Sequence, residues 1–169
     1  KANIMTILIV EDEELAVKKL LKTLAVVDAT AEVVGTADSI KSTVEWLQRN
    51  NQPDLILMDI ELADGQSFEI FSLTEVKSPV IFTTSYDEFA LKAFKVNSVD
   101  YLLKPIQKDE LKAALTKFQK IRVSPDVNID SLVKEWQQKL QPKEYRKRFL
   151  VKFGQKLVSF DTAEIAYFY

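Results

Sequence analysis

The sequence predicts an α/β domain in which five parallel strands form one doubly wound sheet with helices on both faces. Three observations predict it. Short runs of strand-forming residues, Thr6–Val10, Glu32–Gly35, Leu55–Met58, Val80–Thr83 and Val99–Leu102, recur along the chain. Between them, apolar residues return at helical spacing. The separations are long enough for a crossover helix, the connection that parallel neighbours need and that is right-handed almost without exception.

Taken in order, Leu15, Leu20, Leu21 and Leu24 mark the first helix and Ile40, Val44 and Leu47 the second. Phe68, Phe71 and Leu73 mark the third, Phe89, Ala93 and Phe94 the fourth, and Leu111, Leu115 and Phe118 the fifth. Ser124-Pro125-Asp126 breaks that helix. Ile129, Leu132, Val133, Trp136 and Leu140 then repeat at helical spacing up to Pro142, an amphipathic linker helix whose stripe is too long to be left in water. A basic segment follows (Lys143, Arg146, Lys147 and Arg148 against Glu144), then the alternating run Phe149–Phe153, a two-residue turn at Gly154-Gln155, and the strand-like runs Leu157–Phe160 and Ile165–Tyr169. The expected division is an α/β domain over 1–122, a linker over 123–145 and the start of a second domain over 146–169.

Composition removes many chemistries. The chain has 169 residues, 47% of them hydrophobic, with neither cysteine nor histidine. Disulfides, thiolate zinc sites, imidazole ligands and Ser-His-Asp catalysis are therefore absent. Its three glycines, Gly35, Gly65 and Gly154, are too far apart to form a phosphate-cradling loop. A formal net charge of −2 gives no reason to expect a nucleic-acid or membrane surface over the whole chain. No apolar run approaches the roughly 20 residues that span a bilayer, and Lys1-Ala2-Asn3-Ile4 has no signal-peptide core, so a cytoplasmic protein is expected.

In a doubly wound sheet, ligands bind at the carboxyl ends of the strands, near the switch in strand order. There the first strand runs into Glu11-Asp12, the third into Asp59, the fourth ends at Thr83-Thr84-Ser85, and the fifth runs into Lys104-Pro105. Singly, each has a bland explanation. Asp12, Glu13 and Glu14 suit the positive end of a helix, Asp59 suits a loop, and a lysine before proline suits a turn. Together, carboxylates on one edge repel unless a cation neutralises them, and an oxygen-only site is what Mg²⁺ prefers.

Ile7-Leu8-Ile9-Val10-Glu11-Asp12-Glu13, Leu57-Met58-Asp59-Ile60, Phe82-Thr83-Thr84-Ser85 and Asp100-Tyr101-Leu102-Leu103-Lys104-Pro105 resemble the four motifs of a response-regulator receiver domain, in the family's order and spacing. The stretch Ile81 to Ile106 resembles the receivers that precede LytTR-type DNA-binding domains. The likeness covers about residues 5–120. Two departures are mild: Glu11 stands where Asp is commoner, and Ala63 where proline is frequent. The resemblance implies a flavodoxin-like strand order of 2-1-3-4-5 and a switch protein, not an enzyme, catalysing only its own phosphorylation and dephosphorylation. Asp59 is then the phosphoryl acceptor. Asp12 and Asp59 bind Mg²⁺ directly, Glu11 through water, and Glu61 through its backbone carbonyl. Lys104 and the Thr84 hydroxyl hold the phosphoryl oxygens, and Tyr101 is the switch aromatic. The Lys104-Pro105 bond is expected to be cis. Ser85 has two readings, a capping box with Glu88 or a secondary phosphoryl contact.

The implied partners are a sensor histidine kinase and a second copy, joined through the face of the fourth helix, fifth strand and fifth helix. Promoter DNA is implied only for the full-length protein, because residues from about 146 resemble the opening of a LytTR domain and the chain is expected to stop inside it. Two other classes stay open: an aspartyl-nucleophile phosphatase, although such enzymes carry Asp-x-Asp on the first strand, and a dimerisation module with an inert site.

Overall fold

The computed structural model describes residues 4–86, 96, 98–123, 148–153 and 156–161. Five strands, β1 (Met5–Val10), β2 (Ala31–Ala37), β3 (Leu55–Asp59), β4 (Val80–Thr84) and β5 (Ser98–Leu103), form one sheet. Its spatial order is β2-β1-β3-β4-β5 and every pairing is parallel. This is the expected doubly wound α/β sheet and strand order. Helices α1 (Glu14–Val27), α2 (Ile40–Arg49), α3 (Ile70–Leu73) and α4 (Lys108–Val123) connect or follow the strands. Here α4 is the fifth helix of the sequence reading; the expected fourth, around Phe89–Phe94, lies outside the described residues.

Successive strand residues point to opposite faces, and here both faces are apolar, as a sheet covered on both sides requires. Ile7, Ile9, Leu55, Leu57 and Ile81 pack with Leu20 and Leu24 of α1 and with Leu111, Leu115 and Phe118 of α4. On the other face Leu8, Val10, Ile56, Met58 and Phe82 pack with Ile40 and Leu47 of α2 and with Ile70. Phe82 is fully buried, its ring centroid 5.2 Å from that of Phe68 and 6.2 Å from that of Phe71.

Two helical assignments need correction. Leu15 is 72% exposed and Leu21 is exposed, because α1 turns Val17, Leu20, Leu24 and Val27 inward and Leu15 lies on the opposite side. The third helix is a turn of 3₁₀ helix (Ser67–Glu69) followed by only four α-helical residues, with Ile70 buried and Leu73 exposed. The segment before it is taken by a two-stranded ribbon, Glu61–Leu62 against Gly65–Gln66, so the helical turns begin only at Ser67.

Side chains fix the corners. Ser39 accepts from the Ser42 amide and Ser42 Oγ accepts from the Ser39 amide, a reciprocal cap for α2 in which serine stands where glutamate or glutamine usually does. At the opposite end of the sheet from the acids, Asp54 Oδ2 accepts from the Thr6 amide (2.9 Å) and hydroxyl (3.0 Å), and Oδ1 pairs with Arg122 (2.9 Å). This ties the end of α4 to the starts of β1 and β3.

The chain divides into two compact units, Lys1–Pro125 and Asp126–Tyr169. In the second, β6 (Arg148–Phe153) and β7 (Lys156–Asp161) pair antiparallel, with Arg148 opposite Asp161. The expected linker helix (129–140), most of the basic segment, the turn at 154–155 and the run 165–169 lie outside the described residues. Among the described residues no helix is long and apolar enough to cross a membrane.

Gly35 on β2 lies under the Trp46 ring of α2, where an added Cβ would sit 2.5 Å from the indole Nε1. Gly35→Ala should gain about 0.5–1 kcal/mol of strand preference and lose about 1–3 kcal/mol to overpacking, because the rigid, core-packed indole cannot yield cheaply. The expected result is a net loss of about 1–2 kcal/mol, read from the urea midpoint; an unchanged midpoint would mean that the ring moves aside freely.

Candidate functional site

The site lies where β1, β3, β4 and β5 end. Glu11 follows β1, and its amide donates to the Ala37 carbonyl at the end of β2 (2.9 Å). Its carboxylate is buried, with Oε1 accepting from the Glu13 amide (3.1 Å). Asp59 is the last residue of β3 and is also buried, with Oδ1 accepting from the Glu61 amide (3.1 Å). Between them lies the Lys104 ammonium, 2.6 Å from Glu11 Oε2 and 2.6 Å from Asp59 Oδ2. The Lys104-Pro105 bond is cis, as expected, and the Lys104 amide donates to the Thr84 carbonyl (2.8 Å), joining the ends of β4 and β5.

The electrostatics follow from burial. Loss of hydration raises the Glu11 pKa and the nearby Asp59 charge adds to this, while the hydrogen bonds from Lys104 and the Glu13 amide pull the other way; the net shift is upward. Burial also works against the Lys104 charge, but the hydrogen bonds and charges of Asp59 and Glu11 outweigh it and raise its pKa. The ammonium thus supplies the cation that the clustered carboxylates require.

Glu11, the exposed Asp12 and Asp59 each bring a carboxylate oxygen within 4.8 Å of the others. All three donors are hard oxygens, and an exposed carboxylate at the mouth leaves access to water, so the set suits a small hydrated cation such as Mg²⁺. Glu61 presents its side chain to solvent and its main chain beside Asp59.

Thr84 is fully buried, and its hydroxyl oxygen accepts from the Tyr86 amide (3.2 Å). The hydroxyl of Tyr101, a half-buried residue of β5, donates to the Tyr86 carbonyl. Thr84 and Tyr101 therefore meet through one residue, Tyr86. Thr83 is also buried, with its carbonyl held by the Ile60 amide (3.0 Å). Ser85 is exposed; its expected capping partner Glu88 lies outside the described residues.

The sequence reading gave Lys104 to an incoming phosphoryl group and missed its pairing with Glu11. A glutamate in place of the shorter aspartate was the available signal, because its longer side chain extends further across the site. The Ala37 carbonyl and the bridging Tyr86 peptide leave no trace in the sequence, since any residue supplies a main-chain group.

A parallel sheet with clustered acids and a lysine at its strand ends defines the class, and residues 7–116 match the response regulator receiver domain. The chain belongs to that family. It is 37% identical over 123 residues to the sensory transduction protein LytT of Bacillus anthracis, covering 71% of this chain and 49% of the relative. It is 32% identical over 166 residues to the LytT of Bacillus subtilis (strain 168), covering 96% of this chain and 64% of the relative. The crystal structure of the response regulatory domain of protein mrkE from Klebsiella pneumoniae is similar, with a TM-score of 0.59 and 28% identity, covering 79% of this chain and 99% of that one. The chain spans about half to two thirds of the length of these LytT relatives.

Replacing Lys104 by methionine should leave Glu11 and Asp59 without their countercharge. The expected loss of stability in metal-free buffer is about 1–3 kcal/mol, below the ~3–5 kcal/mol of a fully buried pair because part of the lysine side chain meets water. Since the Lys104 pKa is raised, its contribution is fully present below the ordinary value of 10.5 and is lost only as pH climbs through the higher folded value. On the acid side the deficit of the variant should shrink as the Glu11 carboxyl, whose pKa is raised chiefly by burial, takes up its proton. Equal stability of variant and parent at pH 7 would contradict this role for the ammonium.

Proposed function

We infer that the domain accepts a phosphoryl group on Asp59 from a sensor histidine kinase, as the input switch of a transcription regulator. The observation that carries this is the Lys104 ammonium 2.6 Å from both Glu11 and Asp59 at the carboxyl edge of the sheet. A carboxylate nucleophile there has a positive charge beside it to receive phosphoryl oxygens, and phosphoryl transfer needs placed charge more than acid–base help.

An Asp59 oxygen attacks the donor phosphorus; an O–P bond forms as the bond to the leaving group breaks, and the product is an acyl phosphate. Asp12 and Asp59 would hold Mg²⁺, with Glu11 acting through water and Glu61 through its carbonyl, and the ion would supply charge to neutralise the phosphoryl oxygens. Lys104 turns from the Asp59 carboxylate to the phosphoryl oxygens. The Thr84 hydroxyl, which accepts from Tyr86 here, still has its own proton to donate to one of them. Moving Thr84 disturbs the Tyr86 main chain that also holds Tyr101, which is how the acceptor would reach the β5 face.

A phosphoryl group shifts an equilibrium only if one state offers contacts that the other lacks. In this reading the altered face, formed by the expected fourth helix, β5 and α4, joins a second copy. Residues 123–145 link the receiver to an output region beginning near residue 146, which with the rest of a full-length protein would bind promoter DNA in the cytoplasm. The names of the similar proteins, sensory transduction protein and transcriptional regulatory protein, fit this use.

With Mg²⁺ and acetyl phosphate, the protein should gain one acid-labile phosphoryl group, and Asp59→Asn should abolish it. Sedimentation should show tighter dimerisation after phosphorylation. Labelling that survives Asp59→Asn, or proceeds equally with all divalent metal chelated, would overturn the assignment.

A further inference from the structure

The two acid-bearing corners of the site are both fastened to a third corner, the turn from β2 into α2. On one side the Glu11 amide donates to the Ala37 carbonyl (2.9 Å). On the other, Asp64, five residues after the acceptor, reaches across the chain. Its Oδ1 accepts from the Ile40 amide (2.9 Å) and its Oδ2 from the Lys41 amide (3.2 Å). These are the first two amides of α2, which have no partner within the helix and lie at its positive end.

Asp64 sits at the tip of the ribbon that begins two residues after Asp59, with Glu61 opposite Gln66 and Leu62 opposite Gly65. The base of the ribbon is closed by the Ser67 amide on the Ile60 carbonyl (2.8 Å). Two paired residues per strand cannot hold a fixed shape alone, so the tip needs an anchor. Gly65 shows how closely the anchor is seated: it has φ +139°, and a Cβ there would lie 3.1 Å from Ile40 Cδ1. The ribbon is pressed against the first turn of α2, so that even a Cβ would crowd the Ile40 side chain.

We propose that Asp64 is a positioning residue for the acceptor site. By mooring the ribbon to α2, it fixes the Glu61 main chain, whose amide holds Asp59 Oδ1, relative to Glu11, which is moored to the same corner through Ala37. Capping alone does not call for a residue from another loop, because the near end of α2 is already capped from within by Ser39, which accepts from the Ser42 amide, while Asp64 takes the Ile40 and Lys41 amides from across the chain. What Asp64 adds is the tie between loops. Cation-binding groups must be held to within about 0.5 Å, and loops achieve this only through such supporting bonds.

This inference rests on the proposed acceptor role of Asp59, and Mg²⁺ alone is the probe that separates the two. Calorimetric Mg²⁺ titrations would compare the parent with Asp64→Ala, Asp64→Asn and Ser39→Ala, each below its melting temperature. Asp64→Ala should weaken Mg²⁺ binding about tenfold and slow acetyl phosphate labelling at limiting Mg²⁺. Asp64→Asn, which keeps an oxygen for the Ile40 amide, should recover most of the affinity. Ser39→Ala removes the other cap of the same helix, so it should lower the melting temperature and leave Mg²⁺ affinity unchanged. Unchanged affinity in Asp64→Ala, or an equal loss in Ser39→Ala, would overturn the proposal and make Asp64 a helix cap only. If Asp59→Asn still accepted label, the acceptor assignment would fall while the Mg²⁺ titrations still decided the role of Asp64.

Discussion

One ammonium group between two buried carboxylates is the constraint on which the rest of the site depends. Glu11 and Asp59 end adjacent strands and are withdrawn from water, an arrangement that costs several kcal/mol per charge unless something positive is close. Lys104 meets that need from the end of β5, at the far edge of the sheet. Its position depends in turn on the Thr84 carbonyl that holds its amide. The parallel register thus sets the geometry, and a slip of one residue in any of these strands would send an acid or its partner to the wrong face.

Because the ammonium contacts both acids, a cation bound there would be a second, alternative source of positive charge. A divalent cation held by Asp12 and Asp59, with Glu11 acting through water, would compete with Lys104 for the charge of the same carboxylates, and displacement would free the ammonium for an anion. In that account a single lysine couples cation binding to phosphoryl acceptance without any large movement. Tyr86 extends the coupling outward, since its amide is held by the Thr84 hydroxyl and its carbonyl by the Tyr101 hydroxyl.

Much of this was legible in the sequence, for identifiable reasons. Strand runs such as Leu55–Met58 are apolar at every position because the sheet is buried on both faces, and that continuity, with helical spacing between runs, gave the architecture. Asp59 and Lys104 stood out because polar residues end apolar strands only where the chain emerges at an edge. Leu15 misled because four leucines on α1 suggested one broad stripe, whereas Leu15 lies off the face that Leu20 and Leu24 bury. Asp54 and Asp64 could not have been singled out, since their partners are Thr6, Arg122, Ile40 and Lys41, distant in sequence and joined largely through main-chain amides. The serine-for-glutamate cap at Ser42 failed the usual motif while performing the same function.

The most direct test of the central claim, that Lys104 and a divalent cation compete for the same carboxylates, is the Mg²⁺ affinity of Lys104→Met measured beside the parent at neutral pH. Removing the ammonium abolishes both the competing contacts and the repulsion that an incoming cation meets, so the account predicts several-fold tighter binding in the variant. Binding that is equal to the parent's, or weaker, would contradict it.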